Sequence, residues 1–250
     1  MSPLMRFRAS DSYDYFRPSP CGLRVFLRSR GEPEAEPGAF DLLLRRLGLQ
    51  HERRHLGTLP DVVDLSGLPP EERERRTRLE IQAGAPALYQ PRFGTQIVLD
   101  GTLCELIGEP DFLIREGRGY VVRDAKLARR VSGGRHLKIA LQLQLYGWLF
   151  ERATGSPPVR LEVYSGAGQL VAIPQDPGAA LGLLRWLKDL RLRTEEFYEP
   201  VGWSKCGGCA FHERCWSRAV GSHDPAILPT VNQELARELH RRGVRTLDQL

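Results

Sequence analysis

Three strand-like runs follow one another with short breaks, at residues 87–99, 103–115 and 119–127, and they limit the chain to folds built around a sheet. β-Branched, leucine and tyrosine residues are prominent in them, and Gly94 marks an irregular point in the first. Glu116-Gly117-Arg118-Gly119 reads as a turn between the second and third. Helical patterns surround them. Across 40–56, Phe40, Leu43, Leu44, Leu47 and His51 share one face. Residues 70–84 form a charged helix opened by Pro69-Pro70 and closed near Gly84. Residues 137–153 are apolar on most faces, which predicts a buried helix. Two more strands, 159–163 and 169–173, flank the turn Ser165-Gly166-Ala167-Gly168, and an amphipathic helix covers 177–197. The order predicts an α/β fold with a mixed central sheet flanked by helices.

Composition narrows the function classes. The 250 residues suffice for one large or two small domains, and 41% apolar with 27% charged residues is globular composition. A net charge of +5 suits a polyanionic partner without proving one. No apolar run approaches the ~20 residues that span a bilayer. The first eight residues lack the apolar segment of a signal peptide, so a cytoplasmic location is expected, with no membrane partner. In that setting the clustered cysteines read as metal or cluster ligands rather than disulfides.

One set of side chains carries recognisable chemistry. Asp111 follows Gly108-Glu109-Pro110, and Asp124-Ala125-Lys126 ends the third strand-like run. Alternation along a strand places Asp124 and Lys126 on one face with Tyr120 and Val122. A hairpin of the second and third runs would bring Asp111 beside Asp124. Two carboxylates, the Ala125 carbonyl and waters would suit Mg²⁺ or Mn²⁺. Lys126 could then offset charge developing on a phosphate. Gln142 and Tyr146 stand one helical turn apart and share a face. Each fragment alone also has a plain reading: an Asp-x-Lys pair is commonly a solvated strand face, and a Gln/Tyr pair a buried hydrogen-bonded couple.

The second constellation is Cys21 with Cys206, Cys209 and Cys215, the last three spaced C-x2-C-x5-C. Three thiolates so spaced can converge on one centre, with Cys21 as the distant fourth ligand. Spacing leaves iron–sulfur and zinc open, since His212 lies inside the motif. Cys104, in a strand-like run, reads as a buried free thiol. Trp203 and Trp216 flank the cysteines and could pack around them or stack on bases. Arg123, Arg129, Arg130, Arg135, His136 and Lys138 crowd the segment after Lys126. Residues 127–135 read either as a mobile basic loop touching phosphate or as a solvated turn.

Taken in order, Gly-x-x-Asp, Asp-x-Lys and Gln-x-x-x-Tyr resemble the RecB-like branch of the PD-(D/E)XK nuclease superfamily. Thr77-Arg78-Leu79-Glu80 and Gly84-Ala85-Pro86-Ala87-Leu88-Tyr89-Gln90 also look like the segment leading into the core of bacterial members. The resemblance implies a restriction-endonuclease-like core, with catalysis by Asp111, Asp124, Lys126, Gln142 and Tyr146. It makes His51, in Leu47-Gly48-Leu49-Gln50-His51-Glu52, a further metal ligand beside Asp111, Asp124 and Ala125. His51 alone would otherwise pass for a satisfied helix histidine. The four cysteines resemble the [4Fe–4S] site of the iron–sulfur members, including the CRISPR-associated exonuclease, where the cluster ties the two ends of the domain together. The resemblance implies a metal-dependent DNA nuclease, an exonuclease on single-stranded DNA serving repair or CRISPR adaptation. The rivals are a non-catalytic nucleic-acid-binding module and a subunit active only with a protein partner. Domain limits are set at 1–223 for the nuclease and 224–250 for an incomplete helix–hairpin–helix-like tail. Thr230 and Asn232 stand there where glycines normally grip the DNA backbone, and a further C-terminal domain is suspected.

Overall fold

Apolar alternation builds two sheets, not one, in the computed structural model, which describes residues 4–131 and 136–250. The strands are β1 (Met5–Arg8), β2 (Val62–Asp64), β3 (Ala87–Tyr89), β4 (Phe93–Leu99), β5 (Thr102–Gly108), β6 (Phe112–Glu116), β7 (Gly119–Lys126), β8 (Arg160–Ser165) and β9 (Leu170–Ile173). One sheet has the order β1-β5-β4, the other β2-β3-β6-β7-β8-β9. Both are mixed: β1 pairs parallel with β5, β2 with β3 and β7 with β8, and the remaining ladders are antiparallel. The helices are α1 (Asp11–Phe16), α2 (Gly22–Ser29), α3 (Ala39–Leu56), α4 (Pro70–Ala83), α5 (Leu137–Thr154), α6 (Pro177–Leu192), α7 (His212–Gly221) and α8 (Gln233–Arg241). None is long and apolar enough to cross a membrane among the described residues.

Two of the strand-like runs prove to be pairs of strands that change sheet. The run 87–99 breaks at Gln90-Pro91-Arg92, where Gln90 takes a left-handed backbone (φ 53°) and the chain leaves β3 for β4. The run 103–115 breaks at Glu109-Pro110-Asp111 between β5 and β6. The two crossings lie side by side, because Phe93 pairs with Gly108. Hydrophobic alternation continues through both, so periodicity alone could not reveal them. Proline supplies the break in each case, since it cannot donate to a ladder.

The chain divides into two compact units, Met1–Ser12 with Leu42–Trp186, and Tyr13–Asp41 with Leu187–Leu250. The first holds both sheets. Helix α5 packs on strands of both, touching β4, β5, β7 and β8, and buries Leu141, Leu143, Leu145 and Leu149. Gly108 makes the close approach workable: a Cβ there would stand 2.5 Å from Leu149 Cδ1 and 2.9 Å from Tyr146 Cδ1. Helix α4 is the exposed charged helix expected, laced by Arg75–Glu72, Arg76–Glu80 and Arg78–Glu74, and Gly84 ends it in a left-handed turn.

The leucines of α3 differ from expectation. Phe40, Leu43, Leu44 and Leu47 are exposed, and His51 and His55 are the buried residues of that helix. Periodicity identifies residues that share a face; it does not supply a surface to cover it.

In the second unit Leu23, Phe26, Leu27 and Phe211 form one core, against which Cys21, Cys209 and Cys215 pack. Val201, Ala219, Ala226, Val231 and Ala236 form another. Residues 224–250 are built into this second core, so no unit boundary falls at 224. They contain one α-helix, α8, between two 3-10 turns. Asn232 caps α8, its Oδ1 accepting from Leu235 N–H at 2.9 Å.

Gly108→Ala should destabilise the protein by about 1–3 kcal/mol, because the added methyl overpacks α5 against β5. Urea unfolding of the two proteins measures this directly.

Candidate active site

Register places the two acids together. Phe112 pairs with Arg123 and Tyr89 with Phe112, so one step beyond those pairs Gln90, Asp111 and Asp124 fall in a row across β3, β6 and β7. The row is bonded, with Gln90 N–H donating to the Asp111 carbonyl at 2.8 Å. Residues directly opposite on neighbouring strands share a face at close range. Gly-x-x-Asp is therefore the crossing between sheets that delivers Asp111 to Asp124.

Both Asp111 oxygens are held. Oδ2 accepts from Ala125 N–H at 2.7 Å, and Oδ1 from Gln90 Nε2 at 3.2 Å. Burial and the facing Asp124 carboxylate push the Asp111 carboxyl well above the usual range, Lys126 opposes this, and Glu52 adds to it. Asp124 is buried and its Oδ2 ion-pairs with the ammonium of Lys126. That same oxygen receives no well-directed hydrogen bond. Two facing carboxyl groups with a single ammonium beside them are a donor set that a hard divalent cation would complete.

Gln142 and Tyr146 are both buried on α5, and Gln142 Nε2 donates to Tyr146 Oη at 3.0 Å. Gln142 Oε1 is buried with no hydrogen-bond partner among the described residues.

His51 is placed differently from Asp111 and Asp124. Its ring stacks on Tyr164 at 4.8 Å, and Nε2 lies 3.2 Å from the Tyr164 carbonyl. Its neighbour His55 stacks on the same ring at 3.9 Å and meets Arg123 Nη1 at 3.1 Å. Arg123 in turn forms a buried pair with Glu162 at 2.7 Å, across the β7·β8 ladder. By strand alternation Arg123 points away from the Asp124 face. Among the described residues no three His, Cys, Asp or Glu side chains form a preassembled ion site, and this holds for the acids with His51 and for the cysteines.

The four cysteines nevertheless line a single cavity of the second unit, with Arg24, Phe211 and His212. Burial pushes the Cys21 and Cys215 thiols up to about 11, with neighbouring cysteines contributing, and raises Cys206 as well. Arg24 reaches Cys209 Sγ at 3.8 Å, and its backbone N–H donates to Cys21 Sγ at 3.4 Å. Cys104 is buried in the other unit, outside any disulfide, its thiol donating to the Thr102 carbonyl at 3.6 Å. Trp203 lies edge-on to Trp216 at 4.9 Å and donates to the Ile227 carbonyl, yet stays 54% exposed. Of the basic segment 127–135, residues Ser132, Gly133, Gly134 and Arg135 lie outside the described residues.

Two residues near the acids escaped the sequence reading. Glu52 accepts from Tyr89 Oη at 2.7 Å and from Gln90 Nε2 at 2.6 Å. Their only signals were position: Glu52 directly follows His51, and Gln90 ends the segment leading into the core.

A family model described as the PD-(D/E)XK nuclease superfamily matches residues 24–216. The chain belongs to this superfamily. Members are generally nucleases, hydrolases that typically use Mg²⁺ or Mn²⁺, so the fold implies a nucleic-acid substrate. A solved structure described as SSO0001 is 18% identical, covering 70% of this chain and 97% of its own, with a TM-score of 0.36. No curated protein matches.

Burial of His55 sets a pH dependence. Burial first, then Arg123 and His51, holds its imidazole down to about 4 against an ordinary 6.5. The unfolded chain therefore binds more protons between those values, so stability should rise with pH from about 4 to 6.5 and level off above, by up to roughly 3 kcal/mol. Urea unfolding at stepped pH should show that slope in the native chain and a shallower one in His55→Gln.

Proposed function

We propose that the chain is a RecB-like metal-dependent deoxyribonuclease that cleaves single-stranded DNA as an exonuclease, in repair or CRISPR adaptation. The observation that carries this reading is the pairing of Asp111 with Asp124 beside Lys126. Asp111 and Asp124 would hold Mg²⁺ or Mn²⁺. The Ala125 carbonyl and His51 would complete the set. The bound cation would polarise the phosphate and lower the pKa of an attacking water.

The remaining work falls to the side chains. Lys126, beside Asp124, would place its ammonium on the phosphate oxygen that gains charge. Gln142 and Tyr146 hold each other, which leaves the Gln142 Oε1 acceptor for a donor on the substrate or on an ordered water. Arg129 and Arg130, both exposed just past Lys126, would steer the backbone towards the acids. These contacts read phosphate rather than base edges, so little sequence preference is expected.

For the cysteines we propose a structural [4Fe–4S] cluster, with Zn²⁺ as the alternative ligand of the same thiolates. It is supported by four thiols lining one cavity, drawn from both segments of the second unit. The cluster would tie those segments together and take no part in cleavage.

End-labelled single- and double-stranded DNA should be cut with Mn²⁺ or Mg²⁺ and spared in EDTA. Lys126→Ala should lower kcat on the order of 10²–10³-fold while DNA binding survives. Cleavage that persists undiminished in Lys126→Ala would reject the assigned site, and a folded, metal-loaded but inert chain would reject the reading in favour of a binding module or partner-dependent subunit. Anaerobically purified protein should be brown, absorbing broadly near about 400 nm, and Cys21→Ser should bleach it. Colourless protein carrying zinc would assign the alternative.

A further inference from the structure

We infer that Gln90 and Glu52 are positioning residues for Asp111, an inference that rests on the nuclease reading of the site. The Gln90 side chain is a bridge: Nε2 donates to Glu52 Oε1 at 2.6 Å and to Asp111 Oδ1 at 3.2 Å. Three further constraints hold that bridge in place. The Gln90 backbone N–H donates to the Asp111 carbonyl at 2.8 Å, which locks the two residues in register. Its φ of 53° is a conformation that non-glycine residues seldom adopt and that persists only when the surroundings enforce it. Finally, Tyr89 Oη donates to the same Glu52 oxygen at 2.7 Å, so the acceptor at the far end of the bridge is itself anchored.

A carboxylate that must ligate a cation loses affinity when it can rotate. Ala125 N–H fixes one Asp111 oxygen through the neighbouring strand, and Gln90 fixes the other. Glu52 accepts one hydrogen bond from Gln90 and one from Tyr89, and it brings that order from α3, a helix distant in sequence. Partners that orient metal ligands in this way typically change metal affinity or activity 10–100-fold when removed. Neither residue touches the cation or the substrate in this scheme; both act through Asp111.

The test uses the full chain, stripped of divalent metal, with Mn²⁺ itself as the probe. Mn²⁺ affinity is measured calorimetrically and by electron paramagnetic resonance, beside steady-state cleavage of a single-stranded oligonucleotide. Gln90→Ala should weaken Mn²⁺ binding at least about tenfold and lower kcat at fixed Mn²⁺, with KM for DNA little changed. Glu52→Ala should do the same, whereas Glu52→Gln, which keeps an acceptor for Tyr89 and Gln90, should recover most of the affinity. Variants that only melt earlier while binding Mn²⁺ normally would overturn the inference, as would failure of Glu52→Gln to rescue. If the unaltered chain binds Mn²⁺ through Asp124 and cleaves DNA, but Gln90→Ala matches it, the inference alone falls. Should the unaltered chain neither bind Mn²⁺ nor cleave, the nuclease reading falls with it.

Discussion

Two like charges forced together dominate this molecule. Asp111 faces Asp124 because their strands are in register, and burial leaves little water to screen them. Such an arrangement is unfavourable on its own terms. Lys126 offsets part of it, and the hydrogen bonds from Ala125 and Gln90 offset more. The surrounding architecture then makes sense as support. The ladders of β3, β6 and β7 set the row, α5 closes over β5 where Gly108 lacks a side chain, and α3 supplies Glu52 from outside the sheets. A divalent cation is the species that would relieve the strain, which links the energetic anomaly to the chemistry of the superfamily.

The buried polar residues divide by role. Arg123, Glu162 and His55 satisfy one another on the opposite side of β7 from Asp124, and read as a structural network. Asp124 Oδ2 and Gln142 Oε1 are buried without well-directed donors. Lys126 pairs with the first of these, and native interiors rarely leave an acceptor such as the second without a donor. In the other unit four thiols line one cavity with no disulfide among them.

Legibility in the sequence was uneven for physical reasons. Asp124 and Lys126 were placed on one strand face because alternation is local, and Gln142 and Tyr146 on one helix face for the same reason. The pairing of Asp111 with Asp124 was readable as a hairpin, and the ladder has that register. The sheet changes at Gln90 and at Asp111 were not, since the same apolar alternation serves either sheet. His51 was read as a ligand and sits on Tyr164; the exposed leucines of α3 were read as a common face, with no way to know what would cover them. Glu52 stayed hidden because its partner Gln90 lies 38 residues away.

Local pattern alone was enough to establish an α/β chain, the strand carrying Asp124 and Lys126, the buried helix after it, and the cysteine spacing. These depend on periodicities of two and of three to four residues, which the order of side chains encodes directly. Tertiary structure alone decided that two runs would split between sheets and that Glu52 would reach Asp111 through Gln90. Those outcomes depend on which distant surfaces meet, and no local repeat in the chain carries that information.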